Sequence, residues 1–175
     1  MLLNRYFQIS VAIITAVLLS AFTLSDNLQE NAKPEPLLKD VNAEELREVI
    51  ESYEGEKAVL VNVWATWCAP CIEEIPDIVE IQRKYKDRLQ VIFVSADFPD
   101  SRDKALQFLK EQNVDWTTYF KTGDDQEFIE VISDDWTGAL PFSKILNKEG
   151  EVIASWEKSA TFSKFDKHVK RALND

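Results

Sequence analysis

Residues 59–76 of the chain read Val-Leu-Val-Asn-Val-Trp-Ala-Thr-Trp-Cys-Ala-Pro-Cys-Ile-Glu-Glu-Ile-Pro. The first six residues are apolar apart from one asparagine and rich in valine, which favours a β-strand that is buried on both faces. Apolar residues then recur at helical spacing from Ile72 to Val79, so a helix is expected to follow. Cys68 and Cys71 lie where the strand gives way to the helix. This placement predicts redox chemistry at the cysteine pair.

These are the only two cysteines in the chain, and their spacing limits the kinds of site they can form. A disulfide framework joins distant segments, which a pair separated by two residues cannot do. A structural zinc site normally takes four ligands, yet the sequence has no second cysteine pair, and its only histidine, His168, lies near the other end. We therefore expect a redox pair, with no metal and no cofactor.

The start of a helix favours a reactive thiol. Unpaired backbone N–H groups and the helix dipole stabilise negative charge there, so Cys68 is expected to be the attacking nucleophile. Cys71 lies one turn further along and is expected to be more buried, and it can resolve a mixed disulfide on Cys68. Pro70 lacks an N–H donor and stiffens the turn. Such a pair exchanges two electrons with a partner dithiol.

Composition argues against some classes of function. The chain has 31 acidic and 20 basic residues and a net charge of −11, which disfavours binding to nucleic-acid phosphates. The same charge disfavours docking on anionic lipid through a basic face. Solubility is the simplest interpretation of the acidity, and a preference for basic partner proteins is the alternative.

The N-terminal residues predict export. Tyr6–Leu24 contains no ionised side chain and, as a helix, would extend roughly 28 Å at about 1.5 Å per residue, close to the thickness of a bilayer core. We expect residues 1–25 to be a signal anchor, with a cleaved signal peptide as the alternative. Arg5 favours a cytoplasmic N-terminus, which places the protein in the periplasm or on the outer face of the cytoplasmic membrane. Residues 26–36 are predicted to be a linker, followed by a single domain at 37–175.

Periodicity and turn residues predict the remaining elements. A first helix begins after Asn42, which forms a capping-box pattern with Glu45. The elements that follow are a strand at 57–65, a helix at 69–86, a strand at 89–96, a helix from Asp100 or Ser101 to about 112, a strand at 116–120, a short helix at 127–132, a β-hairpin of 141–146 and 151–156, and a helix at 162–172. This order predicts an α/β domain in which a mixed central sheet has helices on both faces.

Residues 61–71 resemble the active-site segment of the thioredoxin superfamily. More narrowly, Asn-x-Trp-Ala-Thr-Trp-Cys-x-Pro-Cys is similar to the membrane-tethered TlpA/ResA type of thiol–disulfide oxidoreductase. The resemblance extends over 37–175 and implies a thioredoxin-like fold. Residues 138–141 match the loop that contains the cis-proline of the family, which implies a cis Leu140–Pro141 bond beside the cysteines. In the family, the backbone of this loop pairs with the partner polypeptide.

The resemblance also suggests how the site handles protons. Thioredoxin has a buried aspartate at the position of Asn62, and an asparagine cannot shuttle a proton. Glu74 matches a glutamate near the dithiol in the TlpA/ResA group and is expected to exchange protons with Cys71 if it is partly buried. The alternative is that Glu74 is an ordinary solvated residue, as its neighbour Glu73 is expected to be.

Four residues are expected to form the substrate-binding surface: Trp67, Pro70, Leu140 and Pro141. Trp67 would shield the cysteines and offer a flat apolar contact. Trp64 is expected in the core. Trp136 is expected to be an exposed surface residue, with contact with a partner as the alternative.

The resemblance implies an enzyme that reduces disulfides in exported proteins, including apocytochromes c before haem attachment. It would receive electrons from an upstream donor protein. Net oxidation of substrate dithiols and a non-catalytic thioredoxin-like binding module are alternatives, and delivery of Cu(I) is a weaker one because no Met or His lies near the pair. The direction of electron flow depends on reduction potential, which no residue determines. Residues 140–147 read Leu-Pro-Phe-Ser-Lys-Ile-Leu-Asn and depart from the usual Val-Pro-x-Thr-x-x-Ile-Asp, so the identity of the substrate stays open.

Overall fold

The structure is a computed structural model that describes residues 37–174, so the predicted signal segment at 1–25 and linker at 26–36 lie outside the described residues. Within 37–174, none of the helices combines the length and apolarity needed to cross a bilayer. The strands are β1 (Leu38–Val41), β2 (Ala58–Trp64), β3 (Leu89–Ser95), β4 (Thr118–Lys121), β5 (Phe142–Leu146) and β6 (Val152–Glu157). The helices are α1 (Ala43–Glu51), α2 (Ala69–Tyr85), α3 (Arg102–Glu111), α4 (Asp125–Ile132) and α5 (Phe162–Ala172), and a 3₁₀ turn (Pro99–Ser101) precedes α3.

The strands form one mixed sheet in the order β1-β4-β3-β2-β5-β6. The first four strands in this order pair in parallel, whereas β5 is antiparallel to both β2 and β6. Side chains of the sheet pack into two apolar clusters, one with α2, α3 and α5 and the other with α1 and α4. The predicted fold class, a thioredoxin-like mixed sheet with helices on both faces, is confirmed.

Strand β2 lies in the centre of the fold, and all seven of its residues are buried. Successive side chains of a strand point to opposite faces. Leu60 and Trp64 accordingly contact the cluster of α2, and Val61 contacts the other cluster. Asn62 lies between two apolar residues and shares the face of Leu60 and Trp64. This polar residue therefore points toward the helix that begins at the cysteines.

The predicted capping box of α1 is confirmed. Asn42 Oδ1 accepts from the Glu45 backbone N–H at 3.0 Å, and Glu45 Oε2 accepts from the Asn42 backbone N–H at 2.9 Å. The start of α3 agrees less closely with the sequence pattern. Its N-cap is Ser101, one of the two predicted residues, but the Ser101 side chain makes no capping hydrogen bond because the 3₁₀ turn leads directly into the helix.

Strand β1 is the element that the sequence did not predict. It has four residues and pairs in parallel with β4, from Leu38 opposite Thr118 to Val41 opposite Lys121. A strand this short has too few alternations to give a local signal. Its pairing with a segment about 80 residues away specifies it instead.

Candidate active site

Cys68 and Cys71 form a disulfide at the start of α2, with a Cα–Cα distance of 5.3 Å. Cys68 is the N-cap residue, and its carbonyl oxygen accepts from the N–H groups of Cys71 at 3.0 Å and Ile72 at 3.1 Å. Pro70 occupies the first turn, where its missing N–H breaks no helical bond. Cys68 is 6% exposed and Cys71 is fully buried, as the sequence predicted. A partner can therefore approach Cys68 but not Cys71.

The predicted cis bond between Leu140 and Pro141 is present. Strand β5 begins directly after Pro141 and runs antiparallel to β2, with Phe142 opposite Val63. This register places the proline at the same end of the sheet as the cysteine turn. Gly138 precedes it with φ +87°, in the left-handed region that favours glycine. The fold thus brings the two predicted halves of the site together.

A groove of about 240 Å³ lies beside the cysteine turn, lined mainly by Trp67, Phe98, Phe128, Trp136 and Leu140. Two of these aromatic side chains are largely exposed, with 58% of Trp67 and 69% of Phe98 accessible to solvent. Exposed apolar surface of this kind marks sites of interaction.

Trp136 lies in the wall of this groove, and the expectation that it is on the surface is wrong. It is only 6% exposed, stacks on Phe142 with 5.1 Å between ring centroids, and donates its indole N–H to the Ala139 carbonyl at 2.8 Å. That hydrogen bond satisfies its polar atom and allows burial beside the proline loop. Trp64 is fully buried, as predicted.

Glu74 is buried behind the disulfide, with 2% of its surface exposed. Its Oε1 accepts from Asn62 Nδ2 at 2.8 Å, and its Oε2 accepts from the Ala160 backbone N–H at 2.8 Å. Burial raises the pKa of Glu74 to about 7, against the opposing effects of the two hydrogen bonds and the charge of Lys164; the charge of Asp77 adds a small increase. The carboxyl group can therefore take up or release a proton near neutral pH.

Asn62 joins this carboxylate to the sheet. Its Nδ2 also donates to Ser143 Oγ at 3.1 Å, and its Oδ1 is buried without a hydrogen-bond partner in residues 37–174. The resulting chain Ser143–Asn62–Glu74 links β5, β2 and α2. Cys71 and Glu74 are three residues apart in α2 and therefore share a helix face.

Sequence reasoning missed Ser143 and Ala160 as partners in this network. Their contacts join residues 81 and 86 positions apart, which a local pattern cannot show. The one available signal was a serine directly after Phe142 at the start of β5. Within residues 37–174 no group of three or more His, Cys, Asp or Glu side chains is placed to hold a metal ion. The arrangement provides one accessible sulfur, one buried sulfur and one buried carboxyl group, which suits two-electron thiol–disulfide exchange.

Comparison with known proteins gives consistent results. The profile of the Redoxin family matches residues 29–168. The chain is 28% identical to the thiol–disulfide oxidoreductase ResA of Bacillus thuringiensis subsp. konkukian (strain 97-27) over 123 residues, which cover 70% of this chain and 66% of that protein. It is 34% identical to the thioredoxin-like protein YneN of Bacillus subtilis over 74 residues, 42% of either chain. The chain thus spans less than two thirds of the length of these relatives.

Solved structures extend the similarity to three dimensions. The thiol:disulfide interchange protein of the thioredoxin family from Chlorobium tepidum TLS aligns with a TM-score of 0.58 and 28% identity, over 69% of this chain and 82% of that chain. A DsbF homologue from Corynebacterium diphtheriae aligns with a TM-score of 0.61 and 20% identity, over 70% of this chain and 75% of that one, and this match shows the fold alone. The resemblance to the ResA type is confirmed, and the names of the relatives agree with the predicted class of enzyme.

Proposed function

The chain belongs to the Redoxin family, and we propose that it is an exported thiol–disulfide oxidoreductase that reduces disulfides in partner proteins. The observation on which this rests is the position of the pair: Cys68 at a helix start beside the cis-Pro141 loop, with Cys71 buried behind it. The reducing direction follows the resemblance to the ResA type. Trp67, Pro70, Leu140 and Pro141 are proposed to bind the substrate.

The proposed reaction begins from the reduced pair. The Cys68 thiolate attacks one sulfur of the substrate disulfide, a mixed disulfide forms, and the other substrate sulfur leaves as a thiolate that takes up a proton. Cys71 loses its proton to Glu74 and attacks the Cys68 sulfur, which releases the second substrate thiol. Two electrons pass to the substrate and the Cys68–Cys71 disulfide forms. An upstream donor protein then returns the pair to the dithiol.

Glu74 is proposed to act as the proton carrier. A base must have a pKa near the working pH to be both available and effective, and the value of about 7 for this carboxyl group meets that condition. Asn62 cannot fill this role, but it binds Glu74 and so places it.

The compartment and the partners are part of the same proposal. Residues 1–25 would anchor the domain at the outer face of the cytoplasmic membrane, and 26–36 would connect the two. The substrates would be disulfide-containing exported proteins, with apocytochromes c as the class that the resemblance favours. Labelling of intact cells with a membrane-impermeant thiol reagent tests the compartment, because only an exported Cys68 reacts before the cells are lysed.

Trapping tests the activity itself. In Cys71→Ser the resolving thiol is lost, so Cys68 should remain joined to its substrates in adducts that dithiothreitol releases. The absence of any adduct would favour the binding-module alternative. Equilibration of the wild-type pair against glutathione buffers tests the direction: a potential near that of thioredoxin, about −270 mV, supports reduction, and one near −120 mV would favour the oxidase alternative.

A further inference from the structure

Asp97 is a buried carboxylate next to the groove, and no part of the proposed reaction uses it. We propose that Asp97 is a positioning residue: it fixes Trp67 and Phe98, which both line the groove, and thereby determines how tightly a protein disulfide binds. This inference rests on the proposed function and adds a determinant of substrate affinity to it.

The contacts of Asp97 are concentrated on one neighbouring segment. The side chain is 5% exposed. Both carboxylate oxygens accept from the Thr66 backbone N–H at 3.0 Å, and Oδ1 also accepts from Thr66 Oγ1 at 2.7 Å. Oδ2 further accepts from Ser95 Oγ at 2.9 Å. Three donors therefore converge on one buried carboxylate, and two of them belong to a residue 31 positions earlier in the chain.

These bonds join two loops where the sheet ends. Just past the paired residues of β2 and β3, the Ala96 N–H donates to the Trp64 carbonyl at 2.8 Å. Beyond it, the chain after β2 leads to the cysteines and the chain after β3 leads to the 3₁₀ turn. The pairing of Thr66 with Asp97 continues the connection one step past the strands. The hydrogen bonds between Thr66 and Asp97 thus form a bridge between the two loops, beyond the point where the strands pair.

Each end of the bridge is adjacent in sequence to an exposed aromatic residue. Trp67 follows Thr66 and Phe98 follows Asp97, and both side chains line the same groove. Since 58% of Trp67 and 69% of Phe98 are exposed, packing around these side chains holds them only in part. The position of Trp67 relative to Phe98 therefore depends on the bridge between their backbones.

The reacting sulfurs depend less on Asp97. The Cys68 N–H donates to the Ala65 carbonyl at 3.1 Å, and the Cys68 carbonyl oxygen accepts the first bonds of α2. The S–S pair is thus held by the helix, and the aromatic walls are held by the bridge. Loss of the bridge should therefore weaken the binding of a protein substrate more than it slows the exchange of sulfurs.

Asparagine at this position would not reproduce the bridge. An amide has one acceptor oxygen where the carboxylate has two. In either orientation its NH₂ group would face the Thr66 N–H donor, together with the hydroxyl of Thr66 or of Ser95. Asp97→Asn keeps the shape of the side chain and breaks the pattern of acceptors. Thr66→Val removes the hydroxyl bond alone, and Thr66→Ser retains all of the bonds.

The test compares a protein disulfide with a small one, using the full chain. Insulin is the protein substrate, with dithiothreitol as the reductant that regenerates the dithiol, and 5,5′-dithiobis(2-nitrobenzoate) is mixed with the pre-reduced protein for a single turnover. For Asp97→Asn we expect the KM for insulin to rise about tenfold with kcat within about a factor of two, as for loss of well-packed aromatic contacts. The rate with the small disulfide should fall by less than about twofold. Thr66→Val should show a smaller rise in KM, and Thr66→Ser should restore the wild-type value.

Asp166→Asn is the matched control, since Asp166 is also a carboxylate with several donors (Lys84, Tyr85 and Lys170) and does not line the groove. A rise in the insulin KM no larger than that of Asp166→Asn would overturn the positioning role, as would an equal loss of rate with both substrates. If Asp97→Asn fails to fold, Thr66→Val decides by the same criteria. Wild-type protein that reduces neither substrate would overturn the proposed function and, with it, this inference.

Discussion

The two sides of the Cys68–Cys71 disulfide differ in almost every physical respect. The outer side, next to Cys68, has exposed aromatic surface in Trp67 and Phe98. The inner side, next to Cys71, has a buried carboxyl group with hydrogen bonds that connect it to the sheet. Apolar exposed surface binds partners, and a buried carboxyl group with a shifted pKa exchanges protons. Under the proposed function, recognition and proton handling therefore fall to opposite sides of one bond.

This separation yields a general expectation for variants. Changes on the outer side should raise the KM for insulin and leave the pH dependence of exchange and of stability unchanged. Changes on the inner side should alter those pH dependences and leave the KM unchanged. Exchange of sulfurs itself requires both cysteines.

The largest effect is expected for Cys68→Ser, which removes the accessible sulfur. A serine hydroxyl is not a nucleophile for disulfides at neutral pH, so insulin reduction should fall to the rate of the uncatalysed reaction. The measurement is turbidity from reduced insulin chains. Cys71→Ser is the matched control, since it also lacks the disulfide but should still form the mixed disulfide. Full activity in Cys68→Ser would show that Cys68 is not the residue that attacks the substrate disulfide.

The next effect concerns stability. Because the folded-state pKa of Glu74 is raised from 4.5 to about 7, its contribution to stability is full below pH 4.5 and is lost as the pH rises through 7. A shift of this size corresponds to about 3 kcal/mol. The free energy of unfolding of the oxidised wild type, relative to Glu74→Gln, should therefore fall by about 3 kcal/mol between pH 4 and pH 8.

Denaturant unfolding of both proteins at several pH values measures this difference. Glu73→Gln, which removes the same charge from an exposed neighbour, is the control and should follow the pH dependence of the wild type. A pH-independent difference between Glu74→Gln and wild type would show that the carboxyl group stays ionised despite its burial.

The sequence predicted the part of the fold that local chemistry determines. The valine-rich run of β2, the helical spacing after Cys71 and the capping box at Asn42 each specify their own element, and the structure has all of them. Strand β1 was missed because four residues contain too little periodicity and their partner lies in β4. The surface position expected for Trp136 was wrong because its burial depends on a hydrogen bond to the proline loop.

The features of the site also fall into those that local sequence predicted and those that depend on tertiary contacts. The cysteine pair and the cis bond at Pro141 were predicted from local motifs and from the resemblance that these carry. The hydrogen-bond network of Glu74 was not, since its partners Asn62 and Ala160, and Ser143 beyond Asn62, come from three separate segments that meet only in the fold. The surroundings of Glu74 therefore depend on the tertiary fold. Their measurable result is the pKa of Glu74, which burial raises.

Glu74→Gln should also slow one chemical step. Dithiobis(nitrobenzoate) added to the reduced protein releases one thiolate when Cys68 attacks and a second when Cys71 resolves the adduct, so stopped-flow absorbance separates the two steps. Loss of a general base typically costs about 10²-fold or more, and we expect the second step to slow by about 10² while the first changes little. In the wild type, the rate of the second step should show a break near pH 7, where Glu74 titrates, and this break should be absent in Glu74→Gln. Equal slowing of both steps would place Glu74 outside proton transfer from Cys71.

The smallest effect is expected for Trp67→Ala on the outer side. Because 58% of this side chain is exposed, its loss should change the free energy of unfolding by no more than about 0.5 kcal/mol. Truncation of an aromatic contact at a protein interface commonly costs about 1 kcal/mol, so the KM for insulin should rise about fivefold. Stopped-flow absorbance should show the second step and its pH break unchanged, because the inner network is intact. A shift of that break in Trp67→Ala would mean that the two sides are coupled through the disulfide, and recognition and proton transfer could then no longer be assigned to separate residues.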